Sequence, residues 1–175
     1  MSNNIMSRDQ DDWYIRIAEQ WGAAMQRIAR SCEADPDRRR DVLQEMHVAV
    51  WKSHPLFDGR CSERTWIYRI ASNVAANHVN RERRRNTPLV SLDRAGDMAS
   101  NDQFQIAERD IALQKLFTII DRLDNPDRSV ITLYLEGLDA ATISDVTGMS
   151  PGAVATRISR IKTLLAHHFK EVQHD

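Results

Sequence analysis

The sequence predicts an all-α protein built as two small helical domains joined by a flexible linker. Three observations carry this. Apolar residues recur at three- and four-residue steps through most of the chain, the mark of one-sided helices. Three polar–proline pairs, Asp35-Pro36, Asn125-Pro126 and Ser150-Pro151, read as an N-cap followed by proline at the first helical position. No stretch alternates apolar and polar residues as a half-buried strand does. The 175 residues suit one medium domain or two small ones, and 42% apolar composition is enough for real cores.

Met1–Asp12 is polar and acidic, and residues 1–10 are expected to be disordered. The first domain, residues 11–87, opens with a stripe of Tyr14, Ile17, Ala18, Trp21, Met25 and Ile28. After Asp35-Pro36 a second helix carries Leu43, Met46, His47 and Val50 and stops before Ser53-His54-Pro55. A loop through Phe57, Asp58 and Gly59 follows. Ser62 can cap a third helix whose inner face is Trp66, Ile67, Ile70, Ala71 and Val74, running out into Arg81-Glu82-Arg83-Arg84-Arg85.

Residues 88–103, with Pro88, Gly96 and several Ser and Asn, have no sustained period and read as the linker. The second domain, residues 104–170, resumes helical spacing at Phe104 and continues through Ile111, Leu113, Leu116, Phe117, Ile120 and Leu123. From Asn125-Pro126 a further helix puts Val130, Leu133 and Tyr134 on one face, with Gly137 placed to end it. Residues 171–175 are a tail.

Charge and composition exclude several classes of function. The net charge of -1 gives no whole-chain argument for a polyanion, but its distribution is uneven. Arg60–Arg85 holds seven arginines against Glu63 and Glu82, and Ser150–Lys170 holds Arg157, Arg160, Lys162 and Lys170 with no acid. Two such islands suggest two contacts with a polyanion, although an isolated basic stretch is more often a solvated helix face. The acids between Asp121 and Asp145 are read as solvated faces. Cys32 and Cys61 lack metal-ligand spacing and are expected to be two semi-buried thiols. No apolar run spans a bilayer and no signal peptide is evident, so a soluble, cytoplasmic chain without membrane insertion is expected. The six histidines assemble no ligand pattern, and His167-His168 with His174 reads as a solvated tail. With no glycine-rich phosphate loop and no nucleophile motif, neither an enzyme, nor a catalytic residue, nor a metal or cofactor is expected.

The stretch Ala140–Leu165 says most about function. A short helix with Ile143 and Val146 leads to Gly148, where a tight turn needs positive φ. A longer helix from Ser150-Pro151 then places Val154, Ile158, Ile161 and Leu165 inward: a helix-turn-helix. Ala155, Thr156, Ser159 and Arg160 point the other way. Methyl, hydroxyl and guanidinium groups are the types that read base edges in the major groove, and Arg157 and Lys162 flank them where phosphates would lie. Helix, glycine and helix alone would suit an ordinary αα-hairpin; the polar–proline start and the acid-free outer face favour DNA. Upstream, Trp66, Tyr68, Arg69, Asn73 and Asn77 precede the arginine block. Aromatics and amides among arginines suit single-stranded DNA, although a tryptophan such as Trp66 is more often core than a stacking platform.

Two sets of motifs resemble a known family. Gln44-Glu45, Leu56-Phe57-Asp58-Gly59, the run Thr65–Asn73 and the arginine block occur in an order similar to region 2 of bacterial sigma factors. Leu133–Leu138, Gly148-Met149-Ser150 and Gly152–Arg157 resemble region 4. With no third domain between them, the chain resembles the extracytoplasmic-function group of the sigma-70 family over roughly residues 14–165. The resemblance implies a protein that docks on core RNA polymerase and directs promoter recognition and melting. It implies that Asp41, Gln44 and Glu45 bind polymerase. It places Phe57, Asn73, Asn77, Arg81, Arg83 and Arg84 on the melted downstream promoter element, and Ala155, Thr156, Arg157, Ser159, Arg160 and Lys162 on the duplex upstream element. Core RNA polymerase and promoter DNA are the implied partners, with an anti-sigma factor left open.

The sequence departs from the family pattern in places. Arg38-Arg39-Arg40 interrupt the acids ahead of Gln44-Glu45, Asn77 and Ala155 replace frequent aspartate and basic residues, and Ser144 stands where alanine is common. The alternative is a stand-alone helix-turn-helix regulator on duplex operators, which would have no need of a melted-strand surface; an interaction protein that sequesters polymerase would have no need of a recognition helix.

Overall fold

A computed structural model describes residues 2–85, 116, 118–120 and 122–171. The linker at 88–103, the helical start through Phe104, Ile111 and Leu113, Phe117, and the tail from 172 onward lie outside the described residues. Those described form α1 (Ser2–Cys32), α2 (Pro36–Ser53), a 3-10 turn (His54–Leu56), α3 (Glu63–Arg85), α4 (Asn125–Leu135), α5 (Ala140–Thr147) and α6 (Pro151–Glu171). Among the described residues there is no strand.

The helix ends follow local chemistry. The Asp35 carboxylate accepts from the backbone N–H groups of Asp37 and Arg38 at 3.0 and 2.9 Å. Ser62 Oγ accepts from Thr65 N at 3.1 Å, and Ser150 Oγ from Ala153 N at 3.3 Å. Each cap satisfies amides that the first helical turn leaves unpaired. α4 starts one residue earlier than the sequence suggests: Asn125 is already helical, and Asp124 occupies the cap with no side-chain bond. Its other end closes on Gly137 at φ 78. Leu138 N donates to Leu133 O at 3.2 Å and Gly137 N to Tyr134 O at 2.9 Å, a Schellman pair whose two leucines are both buried.

α1 begins at Ser2, so the stretch expected to be disordered is helical. Its anchors lie further along the chain. Gln10 Nε2 donates to Trp51 O at 2.7 Å, and Trp51 Nε1 donates to Asp11 Oδ1 at 2.9 Å. These bonds tie the start of α1 to the end of α2.

α1, α2 and α3 pack on one another, and so do α4, α5 and α6. Ile17, Met25, Met46, Val50, Ile67 and Ala71 centre the first bundle; Val130, Leu133, Ile143, Val146 and Val154 centre the second. The two bundles also meet, α1 on α4 and α3 on α5, so that most of their buried apolar side chains form one continuous core, while Ile120, Ile131 and Ile161 form a second, smaller cluster. In the first half of α2 it is Val42 that is buried, with Leu43 beside it only partly covered. Tyr68, placed by the sequence among outward aromatics, is 2% exposed, because α3 is covered on more than one side.

Polar groups tie the bundles where they meet. Glu136 at the end of α4 accepts from the Arg27 guanidinium and from the Tyr68 hydroxyl, the latter at 2.9 Å. Arg64 donates to the Glu136 carbonyl and stacks over the rings of Trp21 and Tyr68, 5.9 and 5.6 Å from their centroids. Arg128 Nη1 donates to Ser31 O at 3.3 Å. Burial alone would push the Glu136 carboxyl up, but the hydrogen bonds from Arg27 and Tyr68 and the charges of Arg27 and Arg64 outweigh it, leaving it below the usual range. Burial, then the bond to Glu136, pushes the Tyr68 hydroxyl up to about 12.

Candidate nucleic-acid and polymerase interfaces

Three separate surfaces carry the residues singled out in the sequence. The first is the outer face of α6. Val154, Ile158 and Ile161 are buried, and Ala155, Thr156, Ser159, Arg160 and Lys162 are exposed. The Thr156 hydroxyl donates to Gly152 O at 2.8 Å, so it presents a methyl and acceptor lone pairs outward. Arg157 and Arg160 both donate to the carboxylate of Asp127 on α4. Lys162 also leans toward α4, further along it, with Nζ 5.4 Å from the centroid of the Tyr134 ring and 3.4 Å from its hydroxyl.

The turn before α6 is held by side chains. Gly148 has φ 74, the left-handed region that disfavours a Cβ. Ser144 Oγ donates to Met149 O at 2.6 Å, and Met149 N donates to Thr147 Oγ1 at 3.3 Å. Ser144 therefore ties the turn together. Asp139 starts α5 by accepting from Thr142 N at 2.7 Å, a cap the sequence reading passed over.

The second surface lies along α3 and the preceding loop. Trp66, Asn73, Asn77 and Arg84 follow one another at steps of seven, four and seven, which keeps them on one side of the helix. Asn73, Asn77 and Arg84 are exposed. Trp66 is half-buried, packed on the core, and donates its Nε1–H to Ser53 Oγ at 3.1 Å. Phe57 lies on Trp66 with ring centroids 5.7 Å apart, and Leu56 beside it is 71% exposed. Arg81 and Arg83 point to either side of the stripe, and Arg81 Nη2 donates to Glu45 Oε2 at 2.7 Å. Tyr68, being buried, is not on this surface.

The third surface is the outer face of α2. Asp41, Gln44, Glu45 and Val48 are exposed at helical spacing. The arginines just before them are engaged elsewhere. Arg38 pairs with Glu82 and lies 3.4 Å from Glu33; Arg39 donates to the carbonyls of Glu33 and Ala34; Arg40 pairs with Asp37 at 3.1 Å. Asp41 and Gln44 thus keep an open face, beside Glu45, which holds Arg81.

Two histidines of the first bundle have structural partners. His78 is buried with Nε2 2.8 Å from Glu33 Oε2. His47 meets the Tyr14 hydroxyl at 2.9 Å, and burial lowers its pKa. Cys32 and Cys61 are half-buried free thiols, and burial, then the charge of Glu33, pushes Cys32 up to about 12. Among the described residues no cluster could hold a metal ion, and no helix is long and apolar enough to cross a membrane. Sequence reasoning missed Asp127 and Glu136, which it took for solvated acids.

Comparison with known proteins places the chain in a family. Residues 17–85 match Sigma-70 region 2, and residues 113–165 match Sigma-70, region 4. The chain is 30% identical over 139 residues to the ECF RNA polymerase sigma-E factor of Haemophilus influenzae, covering 71% of each chain. CnrH, solved in complex with the cytosolic domain of CnrY, superposes with a TM-score of 0.64 over 98% of this chain and 99% of that one, at 22% identity. RpoE of Bartonella quintana, solved with the anti-sigma factor NepR, gives 0.62 over 91% and 97%, at 18% identity. The helix-turn-helix on α5 and α6, the α3 stripe and the two matched regions lead to one conclusion: the chain belongs to the extracytoplasmic-function group of the sigma-70 family, the sigma factors of RNA polymerase.

Proposed function

We propose that this sigma factor divides promoter recognition among the three surfaces described. The face of α2 built from Asp41, Gln44 and Glu45 docks on core RNA polymerase through a basic partner surface. The α3 stripe, Asn73, Asn77 and Arg84 with Phe57 at its head and Arg81 and Arg83 alongside, takes the melted downstream element. There a base can stack on the Phe57 ring while the arginines follow the phosphates. The outer face of α6 reads the upstream element as duplex. Ala155, Thr156 and Ser159 offer methyl and hydroxyl contacts to base edges, Arg160 suits guanine, and Arg157 and Lys162 neutralise phosphates.

The observation that carries this reading is that all three surfaces are exposed and lie on different helices. A stand-alone operator binder would leave the α3 stripe without a role. The protein itself performs no chemistry; it acts in the cytoplasm, and an anti-sigma factor of the kind bound to RpoE belongs to the proposal as a further partner. The test is run-off transcription by core RNA polymerase on genomic fragments, with and without the chain. Specific transcripts that need the chain support the reading; none above core polymerase alone would sink it.

A further inference from the structure

We propose that Asp127 is a positioning residue for the upstream-reading helix: it fixes Arg157 and Arg160 in one pose and so sets promoter discrimination. The inference rests on the reading of α6 given above. Asp127 lies in the first turn of α4, outside the helix-turn-helix, and is buried at 7% exposure. Each of its oxygens takes one N–H from a different arginine, Oδ1 from Arg157 Nη1 and Oδ2 from Arg160 Nη2. No reading of α6 alone would include it.

Its physics is particular. Arg157 and Arg160 are three apart on one helix, and two like charges at that spacing repel. A carboxylate between them removes the repulsion and orders two long side chains that would otherwise sample many rotamers. The charge of Asp127 is itself favoured in the first turn of α4, where backbone N–H groups lack helical partners. The Arg160 side chain remains 64% exposed, so N–H groups not given to Asp127 can face DNA. The pair also presents less net positive charge than two free arginines. That weakens attachment to any phosphate backbone while keeping the directed contact to a base.

Substituting Asp127→Asn separates these effects. The probe is duplex enriched from a random library by the wild-type chain with core polymerase, compared with scrambled duplex of the same composition. The expected result is a ratio of specific to scrambled affinity about tenfold lower, the scale of one good base contact. Scrambled duplex should bind as well as before or better, with a salt slope steeper by about 0.9, as neutralising one more phosphate would give. Asp127→Glu, which keeps the charge, should recover most of the ratio and the original slope. An unchanged ratio in Asp127→Asn would overturn the proposal. So would parallel loss on both duplexes together with a lowered melting temperature that Asp127→Glu shares. A wild-type chain that enriches no duplex would instead remove the underlying reading of α6, and this inference with it.

Discussion

The Tyr68 hydroxyl donates to Glu136 Oε2 at 2.9 Å, joining α3 to the end of α4. Arg27 from α1 holds the same carboxylate, whose side chain is 9% exposed against 47% for Arg27. One acid therefore gathers two helices of the first bundle onto the second.

Replacing Glu136 by glutamine removes the charge and keeps the shape. Because Arg27 is half exposed, solvent screens part of the loss, and the expected destabilisation is about 1–2 kcal/mol. Urea unfolding at neutral pH checks it. A change near zero would mean that apolar packing alone joins the bundles.

The same carboxyl predicts a pH dependence. Its folded pKa lies below the ordinary value, as does that of Glu63, which the hydrogen bond from Arg16 lowers against burial, with further help from Trp13 and the Arg16 charge. Acids held down in the folded state contribute stability that is fully present above the unfolded value of about 4.3 and is lost as pH falls through the folded one. The carboxylate contribution should therefore be constant from pH 7 to 5 and decline below that. Melting curves across this range, with Glu136→Gln showing a shallower acid decline than wild type, test the assignment.

Reversing Asp41 and Glu45 to lysine should reduce binding to core polymerase at least tenfold, since both acids lie on one face of α2. Glu45 also holds Arg81, so Glu45→Gln serves as the control for that lost pair. Pull-down of core polymerase measures the effect. Normal capture by the double variant would remove α2 from the docking surface.

Phe57→Ala should weaken binding to pre-melted promoter about tenfold, the scale of one base stacked on an aromatic ring. Binding to fully paired upstream duplex should not change. The comparison is made with polymerase holoenzyme on forked and intact templates. Equal losses on both would assign Phe57 to packing on Trp66.

Much of the fold was legible because its determinants are local. Capping needs residues within one turn, so Asp35, Ser62, Ser150 and Gly137 could be read directly, and Gly148 marked its turn. What escaped was set by distance. Asp127 meets arginines 30 and 33 residues away, and no pattern in the sequence announces that pairing. Tyr68 was misplaced for a related reason: a single apolar stripe suits a helix packed on one side, whereas α3 meets α1, α2 and α5. On α6 the inward and outward residues separate cleanly, and the outer face could be read residue by residue, except for the carboxylate from α4 behind it.

The separation of Arg27 and Glu136 by 109 residues also orders events during synthesis. A ribosome adds roughly 5–20 residues per second, so on the order of ten seconds pass between the two. α1, α2 and α3 emerge first and can fold while α4 does not yet exist. Until α4 arrives, Trp21, Arg64 and Tyr68 face water or a chaperone. Slow translation between residues 85 and 125 would lengthen the exposure, and a nascent chain paused there should be more open to proteolysis than the finished protein.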